Sequence, residues 1–230
     1  MNAELFTASP SKGEQARQRL LLAALERIGE KGYENSSVRE IAEAAGQNIA
    51  AISYYFGSKE SLYTEVIQGI GNYLNSVFGE LAGEAKSLLE SGKMDRVKAA
   101  ELLKRILREF LIEHIERGEI AKIRKVMLRE QSSPSAAFDL LYQKALFPLH
   151  DLFTRTLAAV SGEDPTSAQA IIRAHMLVGQ VIAFTVARST ILRRLEADTY
   201  GTDHAAIIAS TLDEHIDFLC AGLIGKEQSK

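Results

Sequence analysis

The sequence predicts an all-α protein, and three observations carry that prediction. Apolar residues recur at spacings of three and four along almost every segment, which is the pattern of an amphipathic helix. No segment shows the sustained alternation of apolar and polar residues, bounded by turn residues, that indicates a strand. Several of the periodic segments begin after serine or end before glycine, as helix termini commonly do.

The first two helices are delimited by capping residues. The first is predicted from about Glu14 to Lys31, and Gly32 stands where a C-terminal glycine cap belongs. The second starts at Ser37, because the Ser37 hydroxyl and the Glu40 side chain can form a reciprocal capping box. Gly46 ends this second helix.

A short third helix follows the turn at Gly46, and it has two distinct faces when projected at about 100° per residue. The face expected to pack against the first two helices consists of Ile49, Ile52 and Phe56. The opposite face consists of Ala50, Ala51 and Tyr54. It therefore presents two small side chains and a phenol to solvent or to a partner.

A long helix is predicted from Lys59 to Ser91, with Ser58 as its N-cap. It contains four glycines, each of which costs about 0.5–1 kcal/mol relative to alanine in a helix interior. Close packing against a neighbour and a hinge both remain explanations for them. Further helices are predicted at about 95–117, 119–131, 135–160, 166–195 and 203–224. Pro148 should bend the helix predicted at 135–160, because proline has no backbone N–H to donate to the helical hydrogen bonds.

Two helices separated by a tight glycine turn form a helix-turn-helix, in which the second helix enters the DNA major groove. Small residues such as Ala50 and Ala51 let a helix approach base edges closely. Gln47 and Asn48 have the amide geometry that pairs with adenine, although both can equally be turn residues and Asn48 the N-cap. A three-helix unit can also be purely structural, so this pattern alone leaves both functions open.

The stretch SSVREIAEAAGQNIAAISYYFGSKESLY, residues 36–63, resembles the DNA-binding segment of the TetR family of bacterial transcriptional regulators. The resemblance covers about fifty residues and implies DNA contacts at Ser37, Arg39, Gln47, Asn48, Ala51, Tyr54 and Lys59. Ala50 and Tyr55 complete the predicted DNA-binding set, although Tyr55 projects between the faces and can pack instead. Tyr54 and Lys59 are expected to contact phosphates, and the alternative for Lys59 is a solvated surface charge.

Two positions depart from the family pattern. Gln47 and Asn48 stand where Val-Ser is commoner, which should change the bases that are read. Ser53 stands where an aromatic residue usually sits. The stretch LREQSSPSAAFDLLY, residues 128–142, together with the turn and third helix, resembles the CecR-like (YbiH-like) subgroup of the family.

Small and apolar residues on the last two long helices predict a homodimer interface. The expected interface residues are Gly179, Ala183, Ala187, Leu212, Ile216 and Leu219. Two such helices from each chain would make a four-helix interface where TetR-like proteins dimerise, and the alternative is an ordinary intrachain core. A two-fold dimer would place two recognition helices about 34–36 Å apart and predicts a palindromic operator.

Aromatic and polar residues between these regions predict a small-molecule effector site. The candidate ligand-binding residues are Phe110, His114, Met127, Arg129, Gln131, Phe138, Tyr142 and His175, with Phe147 and His150 nearby. Arg129 is the preferred polar anchor, although Glu130 or a backbone carbonyl can serve as its partner instead. In TetR-like proteins this part of the chain varies with the ligand.

Other function classes find little support in the sequence. The five histidines lack metal-ligand spacing, and no phosphate-binding glycine loop or nucleophile elbow is present, so we expect no enzyme, metal or cofactor. The single Cys220 is expected to be a buried, inert thiol. No apolar run reaches the roughly 18 residues needed to span a bilayer. A cytoplasmic protein that does not associate with membranes is therefore expected.

The sequence thus predicts a ligand-responsive TetR-type repressor that binds a palindromic operator as a homodimer and is released or modulated by a small molecule. Its domains are expected to be a helix-turn-helix DNA-binding domain at 1–58 and a ligand-binding and dimerisation domain at 59–230. The alternative is an all-helical ligand-binding or scaffolding protein whose helix-turn-helix is structural.

Overall fold

The computed structural model describes residue 6, residues 11–115 and residues 120–227, with side chains as far as residue 224. Within these residues the regular structure is entirely helical, which confirms the predicted fold class. The helices are α1 (Lys12–Lys31), α2 (Val38–Ala44), α3 (Ala50–Phe56), α4 (Lys59–Glu90), α5 (Arg96–Ile115), α6 (Ile120–Ser132), α7 (Phe138–Leu141), α8 (Phe147–Ser161), α9 (Ala168–Val186), α10 (Arg188–Arg194) and α11 (Thr202–Glu227). A π-helical turn, Tyr142–Leu146, joins α7 to α8.

The predicted helix termini agree closely with the structure where capping residues define them. Gly32 ends α1 with φ 86°, and its amide donates to the Ile28 carbonyl. Ser37 and Glu40 form the predicted capping box at the start of α2. The Ser58 hydroxyl accepts from the Ser61 amide at the start of α4. The predicted ends at residues 117 and 119 of the next two helices lie outside the described residues.

Two long predicted helices are divided in the structure. The segment predicted at 135–160 consists of α7, the π-helical turn and α8, with Pro148 as the second residue of α8. Pro148 cannot donate to the carbonyl of Lys144, and the wider turn accommodates this missing hydrogen bond. The segment predicted at 166–195 is divided at Ala187, which lies between α9 and α10 with φ −100°.

The described residues divide into two compact units. Unit 1 contains those within 1–77 and 119–148, and unit 2 contains those within 78–118 and 149–230. In unit 1, α1 packs against both α2 and α6 around Leu20, Leu25 and Ile28. The boundaries of these units differ from the expected domain boundary between residues 58 and 59, which stays a prediction.

In unit 2, α5 packs against both α9 and α11. Its buried face includes Leu103, Ile106 and Leu107. Cys220 on α11 is buried, as predicted, and burial raises the pKa of its thiol to about 11. The thiol is therefore protonated and unreactive at neutral pH.

One helical glycine in unit 1 is explained by close packing. A Cβ at Gly71 would lie 2.8 Å from the carbonyl oxygen of Lys144, the group that Pro148 cannot satisfy. Gly83 has open space around its Cα, so packing does not explain it. Of the two explanations left open by the sequence, close packing therefore applies to Gly71 and does not apply to Gly83.

Candidate nucleic-acid interface

The turn between α2 and α3 sets the direction of α3. Gly46 has φ 64°, a left-handed conformation that glycine adopts without strain. The Asn48 side-chain oxygen accepts a hydrogen bond from the Ala50 amide at 2.9 Å, so the predicted capping role is observed. The Gln47 side-chain amide donates to the Gly46 carbonyl at 3.0 Å.

The helix α3 is held to unit 1 by fewer residues than predicted. Ile52 and Phe56 are buried, and the Arg17 guanidinium lies 5.3 Å from the Phe56 ring centroid. Ile49 is 49 % exposed, which corrects the expectation that it packs with them. Ile49 has helical dihedrals but lies just before the first residue of α3, and this end of the helix face is left uncovered.

The opposite face of α3 is open, as the projection predicts. Tyr54 is 82 % exposed, Ala50 is exposed and Ala51 is half-buried. Tyr55 is half-buried and meets the Tyr54 ring edge-on at 4.9 Å between centroids. Tyr55 thus packs along the helix while part of its surface remains accessible.

The predicted contacts on α2 lie at its N-terminal end. The Ser37 hydroxyl accepts from the Glu40 amide, and the Glu40 carboxylate accepts from the Ser37 amide. A hydrogen bond from Lys31, together with those from Ser37, lowers the pKa of Glu40 to about 2. The Arg39 side chain is exposed and pairs with Glu43 at 2.9 Å. Such an exposed pair exchanges partners readily, because solvent screens it.

Lys59 has partners inside the protein. Its Nζ donates to the Tyr33 carbonyl at 2.7 Å and lies 4.3 Å from the Tyr33 ring centroid. It is therefore more than a solvated surface charge. An ammonium group has three donors, so this contact leaves Lys59 able to donate to a phosphate as well.

The six predicted dimer-interface residues differ in their exposure. Gly179, Ala183 and Ala187 are exposed, whereas Leu219 is half-buried. Leu212 and Ile216 are buried inside the protomer, because this face of α11 packs against α5. These two residues are therefore corrected to core residues of the protomer.

An exposed apolar surface on α9 and α11 was missed from the sequence. It consists of Ile171, Ile172, Met176 and Val186 on α9 and of Ile207 and Phe218 on α11. In the part of the chain that the structure describes, α9 is also the one helix long and apolar enough to cross a membrane, by length and composition alone. In the sequence, the sign of this surface is that apolar residues also occur on the helix face opposite the buried stripe.

The predicted ligand-binding residues are divided between the two units. In unit 2, the Phe110 ring centroid lies 4.2 Å from that of His114 and 5.4 Å from that of Phe153. The His175 and His150 ring centroids lie 5.6 Å apart. The pKa of His150 is lowered, mainly because the ring is partly buried. These contacts place two clusters of aromatic and imidazole rings in unit 2.

In unit 1, Tyr142 lies between Phe138 and Phe147, with ring centroids 6.3 and 5.8 Å away. Met127 is half-buried and Gln131 is exposed. The Arg129 guanidinium donates to the Glu30 carbonyl at 2.5 Å, so a backbone carbonyl is its partner. Of the alternatives for Arg129, the structure therefore shows a backbone carbonyl as its hydrogen-bond partner.

The fold and this interface define a helix-turn-helix DNA-binding protein. No group of three metal-ligating side chains occurs among the described residues. A capped turn followed by a short helix with an open face is the arrangement of a helix-turn-helix transcriptional regulator.

Comparisons with known proteins identify the family. The profile described as bacterial regulatory proteins, tetR family, matches residues 20–66. The C-terminal domain of the HTH-type transcriptional dual regulator CecR matches residues 99–223. The dual regulator CecR of Shigella flexneri is 39 % identical over 212 residues, which cover 92 % of this chain and 94 % of that protein. The chain belongs to the TetR family of regulators and has a CecR-type C-terminal domain.

More distant relatives share the fold or the N-terminal part. The repressor AcnR of Corynebacterium glutamicum is 39 % identical over 59 residues, or 26 % of this chain and 31 % of that protein. The hemolysin II regulator HlyIIR has a TM-score of 0.53 at 23 % identity, covering 88 % of this chain and 99 % of the other. A regulator from Saccharomonospora viridis in complex with choline has a TM-score of 0.57 at 20 % identity, covering 89 and 96 %.

These two solved structures are under 25 % identical and show the fold alone. The matching families and the curated relative are transcriptional regulators. The protein is accordingly a DNA-binding transcriptional regulator and not an enzyme.

Proposed function

We propose that this regulator represses transcription by binding a palindromic operator as a homodimer, with α3 in the major groove, and that a small molecule modulates the binding. The observation that carries the proposal is the contrast between the two faces of α3. Ile52 and Phe56 anchor one face, while Tyr54 on the other is 82 % exposed. A side chain of that size left in solvent on a short, anchored helix suits contact with a partner.

The neighbouring residues suit the chemistry of DNA. Ala50 and Ala51 allow α3 to approach base edges and can contact thymine methyl groups. Gln47 and Asn48 are proposed to contact bases, and the Asn48 oxygen is also used in capping. The remaining proposed contacts, to phosphates and groove edges, are made by Ser37, Arg39, Tyr54, Tyr55 and Lys59. Phosphate contacts of this kind set the register of the protein on the duplex.

The exposed apolar surface of α9 and α11 supports a homodimer. Large apolar side chains exposed on two helices of the same unit suit an interface with another protein surface. Gly179 and Ala183 lie exposed on the same helix and allow a second helix to approach closely. An isologous contact through this surface would give two symmetric copies of α3, which matches a palindrome. The half-buried Leu219 and the exposed Ala187 are kept as proposed contacts of this interface.

The aromatic clusters support an effector site in the CecR-type region. Aromatic walls with a few polar groups are the usual lining of small-molecule sites. We propose the cluster of Phe110, His114 and Phe153, with His175, as effector contacts in unit 2. The cluster around Tyr142 and Phe138, with Met127 and Gln131, is a separate candidate within unit 1. Arg129 already has the Glu30 carbonyl as its partner, so we propose no ligand contact for it. An effector acts only through different affinities for the DNA-bound and free conformations.

Family precedent supports the proposed location and is compatible with the proposed repression. The relative of Shigella flexneri is named a dual regulator, so activation at some promoters is compatible with repression at others. We propose a cytoplasmic location, where chromosomal operators are accessible, and assign α9 to the dimer interface.

Selection of bound sequences from a random duplex library tests the proposal. The purified protein should enrich a palindrome whose half-sites lie about one helical turn apart. Its affinity for that palindrome should fall steeply with salt, because binding releases counterions from phosphates. Failure to enrich any sequence, with and without cell extract as a source of effector, would contradict the proposed function.

A further inference from the structure

A series of contacts inside unit 1 connects α6 to both ends of the helix-turn-helix. Its members are Glu130 and Ser135, which lie within the match to the CecR C-terminal domain, and Tyr63, Tyr33 and Lys59. We refer to these five residues as the Tyr63 network. Glu130 and Ser135 are remote in sequence from α3, yet the fold brings them to the helix that directly follows it.

The centre of the Tyr63 network is a buried carboxylate. Glu130 is 2 % exposed, and its oxygens accept from the Tyr63 hydroxyl at 3.1 Å and from the Ser135 hydroxyl and amide at 3.0 Å. A buried carboxyl group needs such partners, because removing it from water without them is costly. Burial, reinforced by Glu130, raises the pKa of Tyr63 well above its ordinary value, so the phenol keeps the proton that it donates.

The aromatic side of the network reaches both ends of the helix-turn-helix. The Tyr63 ring is buried and stacks on the Tyr33 ring, with centroids 4.9 Å apart and planes at 29°. Tyr33 lies in the loop that leads into α2, and its carbonyl and ring hold the Lys59 ammonium. Lys59 is the first residue of α4, two residues after Gly57 caps α3. The network therefore touches the entry to α2 and the exit from α3.

Other contacts attach α6 to α1 without using this network. Arg129 donates to the Glu30 carbonyl at 2.5 Å, and Lys122 pairs with Glu26 at 3.3 Å. A Cβ at Gly29 would lie 3.0 Å from the Lys125 Cβ, which shows how closely the two helices pack. Loss of one hydroxyl in the network should therefore leave α6 in place.

We propose that Glu130 and Tyr63 are positioning residues for DNA binding. Neither side chain is exposed to a ligand, and each acts through its neighbours. The Glu130 carboxylate orients Tyr63, the Tyr63 ring orients Tyr33, and Tyr33 together with Lys59 fixes the ends of the helix-turn-helix. A displacement of the loop at Ser135 changes this orientation and hence the fit of α3 to the groove. The inference rests on the proposed function, because it concerns binding to an operator through α3.

Tyr63→Phe tests the proposal, because it removes the hydroxyl and keeps the stacked ring. The matched control is Tyr200→Phe in unit 2, which removes a hydroxyl that donates to the Phe184 carbonyl at 2.8 Å. Both the operator Kd and the thermal midpoint are measured for each purified full-length variant. Tyr63→Phe should weaken operator binding about tenfold, a change of about 1.4 kcal/mol. Tyr200→Phe should leave the Kd within twofold even if its thermal midpoint falls equally.

Glu130 variants provide a readout that general destabilisation would not give. Glu130→Gln keeps one acceptor oxygen for Tyr63 and loses the acceptor of the Ser135 amide, whereas Glu130→Ala removes both oxygens. We expect Glu130→Gln to bind the operator within about threefold of the wild type and Glu130→Ala to bind at least about tenfold more weakly. Should Glu130→Ala fail to fold, Ser135→Ala tests the same contact from the loop and should weaken binding several-fold.

The outcomes separate this inference from the proposed function. A wild-type protein that binds no selected duplex refutes operator binding and the inference with it. A wild-type protein that binds, with Tyr63→Phe and Ser135→Ala binding equally well, refutes the positioning role alone. Equal loss of affinity in Tyr63→Phe and Tyr200→Phe also refutes it, since ordinary destabilisation would then explain both.

Discussion

The Lys59 ammonium donates to the Tyr33 carbonyl at 2.7 Å, so the first residue of α4 is tied to the loop that precedes α2. The same nitrogen lies 4.3 Å from the centroid of the Tyr33 ring, which adds a cation–π contact. One side chain thus connects the two segments that flank the helix-turn-helix. Its position at the start of α4 also suits a phosphate contact.

Lys59→Ala should therefore affect both stability and DNA binding. The lost contacts to Tyr33 should lower the thermal midpoint by a few degrees, as expected for a change of about 1 kcal/mol in a chain of this size. If Lys59 also neutralises a phosphate, the slope of log K against log salt should decrease in magnitude by about 0.9. A lower midpoint with an unchanged salt slope would show that Lys59 is structural only.

The stabilising contribution of Glu40 to the DNA-binding unit should be lost in acid. Its pKa is about 2 in the folded protein and about 4.3 when unperturbed. A lowered carboxyl pKa contributes stability above the unfolded value, and this contribution is lost as the pH falls from about 4 towards 2. The effect is small because the group is exposed to solvent.

The measurement is the thermal midpoint of the wild type and of Glu40→Gln at pH 7 and at pH 2.5. The difference between the two proteins should be larger at pH 7 than at pH 2.5. An equal difference at both pH values would contradict the assigned shift in the Glu40 pKa.

The exposed face of α9 should control assembly. Ala183→Glu places a charge on this face, where a partner helix would have to bury it without a counter-charge. We expect a folded monomer, measured by sedimentation velocity, with weaker operator binding. Val97→Glu is the matched control, because Val97 is another apolar residue, 71 % exposed on α5. A dimeric Ala183→Glu protein would remove α9 from the interface.

Two glycines of α4 should respond in opposite directions to alanine. Gly71→Ala places a methyl group 2.8 Å from the Lys144 carbonyl oxygen, so we expect a loss of about 1–3 kcal/mol from overpacking. Gly83 has nothing within 4 Å of such a methyl group. Gly83→Ala should therefore stabilise the protein by about 0.5–1 kcal/mol through helix propensity. Chemical unfolding of both variants checks the pair, and a stabilised Gly71→Ala protein would contradict the close packing.

Local chemistry allowed much of the fold to be predicted. Ser37 with Glu40, and Gly32 after α1, satisfy backbone groups within a few residues, so the sequence pattern defines those helix ends. The exposure of Tyr54 could likewise be predicted, because α3 has a clear apolar face. Ile49 was misassigned because the projection gives the face on which a residue lies, and not whether a neighbouring helix covers that end of α3.

Long-range packing could not be predicted in the same way. Leu212 and Ile216 form an apolar stripe that suits either an interface or a core, and only the position of α5 decides for the core. The contact between Tyr63 and Glu130 joins residues 67 positions apart, and no local pattern links them. The exposure of Phe218 was missed for the same reason, since the packing of α5 decides which face of α11 is buried.

The most direct test of the central claim is the operator affinity of Ala50→Glu. Ala50 is the first residue of α3 and is exposed, and an acidic residue at a helix N-terminus is favourable for the helix. The variant should therefore fold with an unchanged thermal midpoint, while its carboxylate would face the negatively charged groove. We predict a loss of operator affinity of at least about a hundredfold, or 2.7 kcal/mol. Wild-type affinity in a folded Ala50→Glu protein would show that α3 does not enter the major groove.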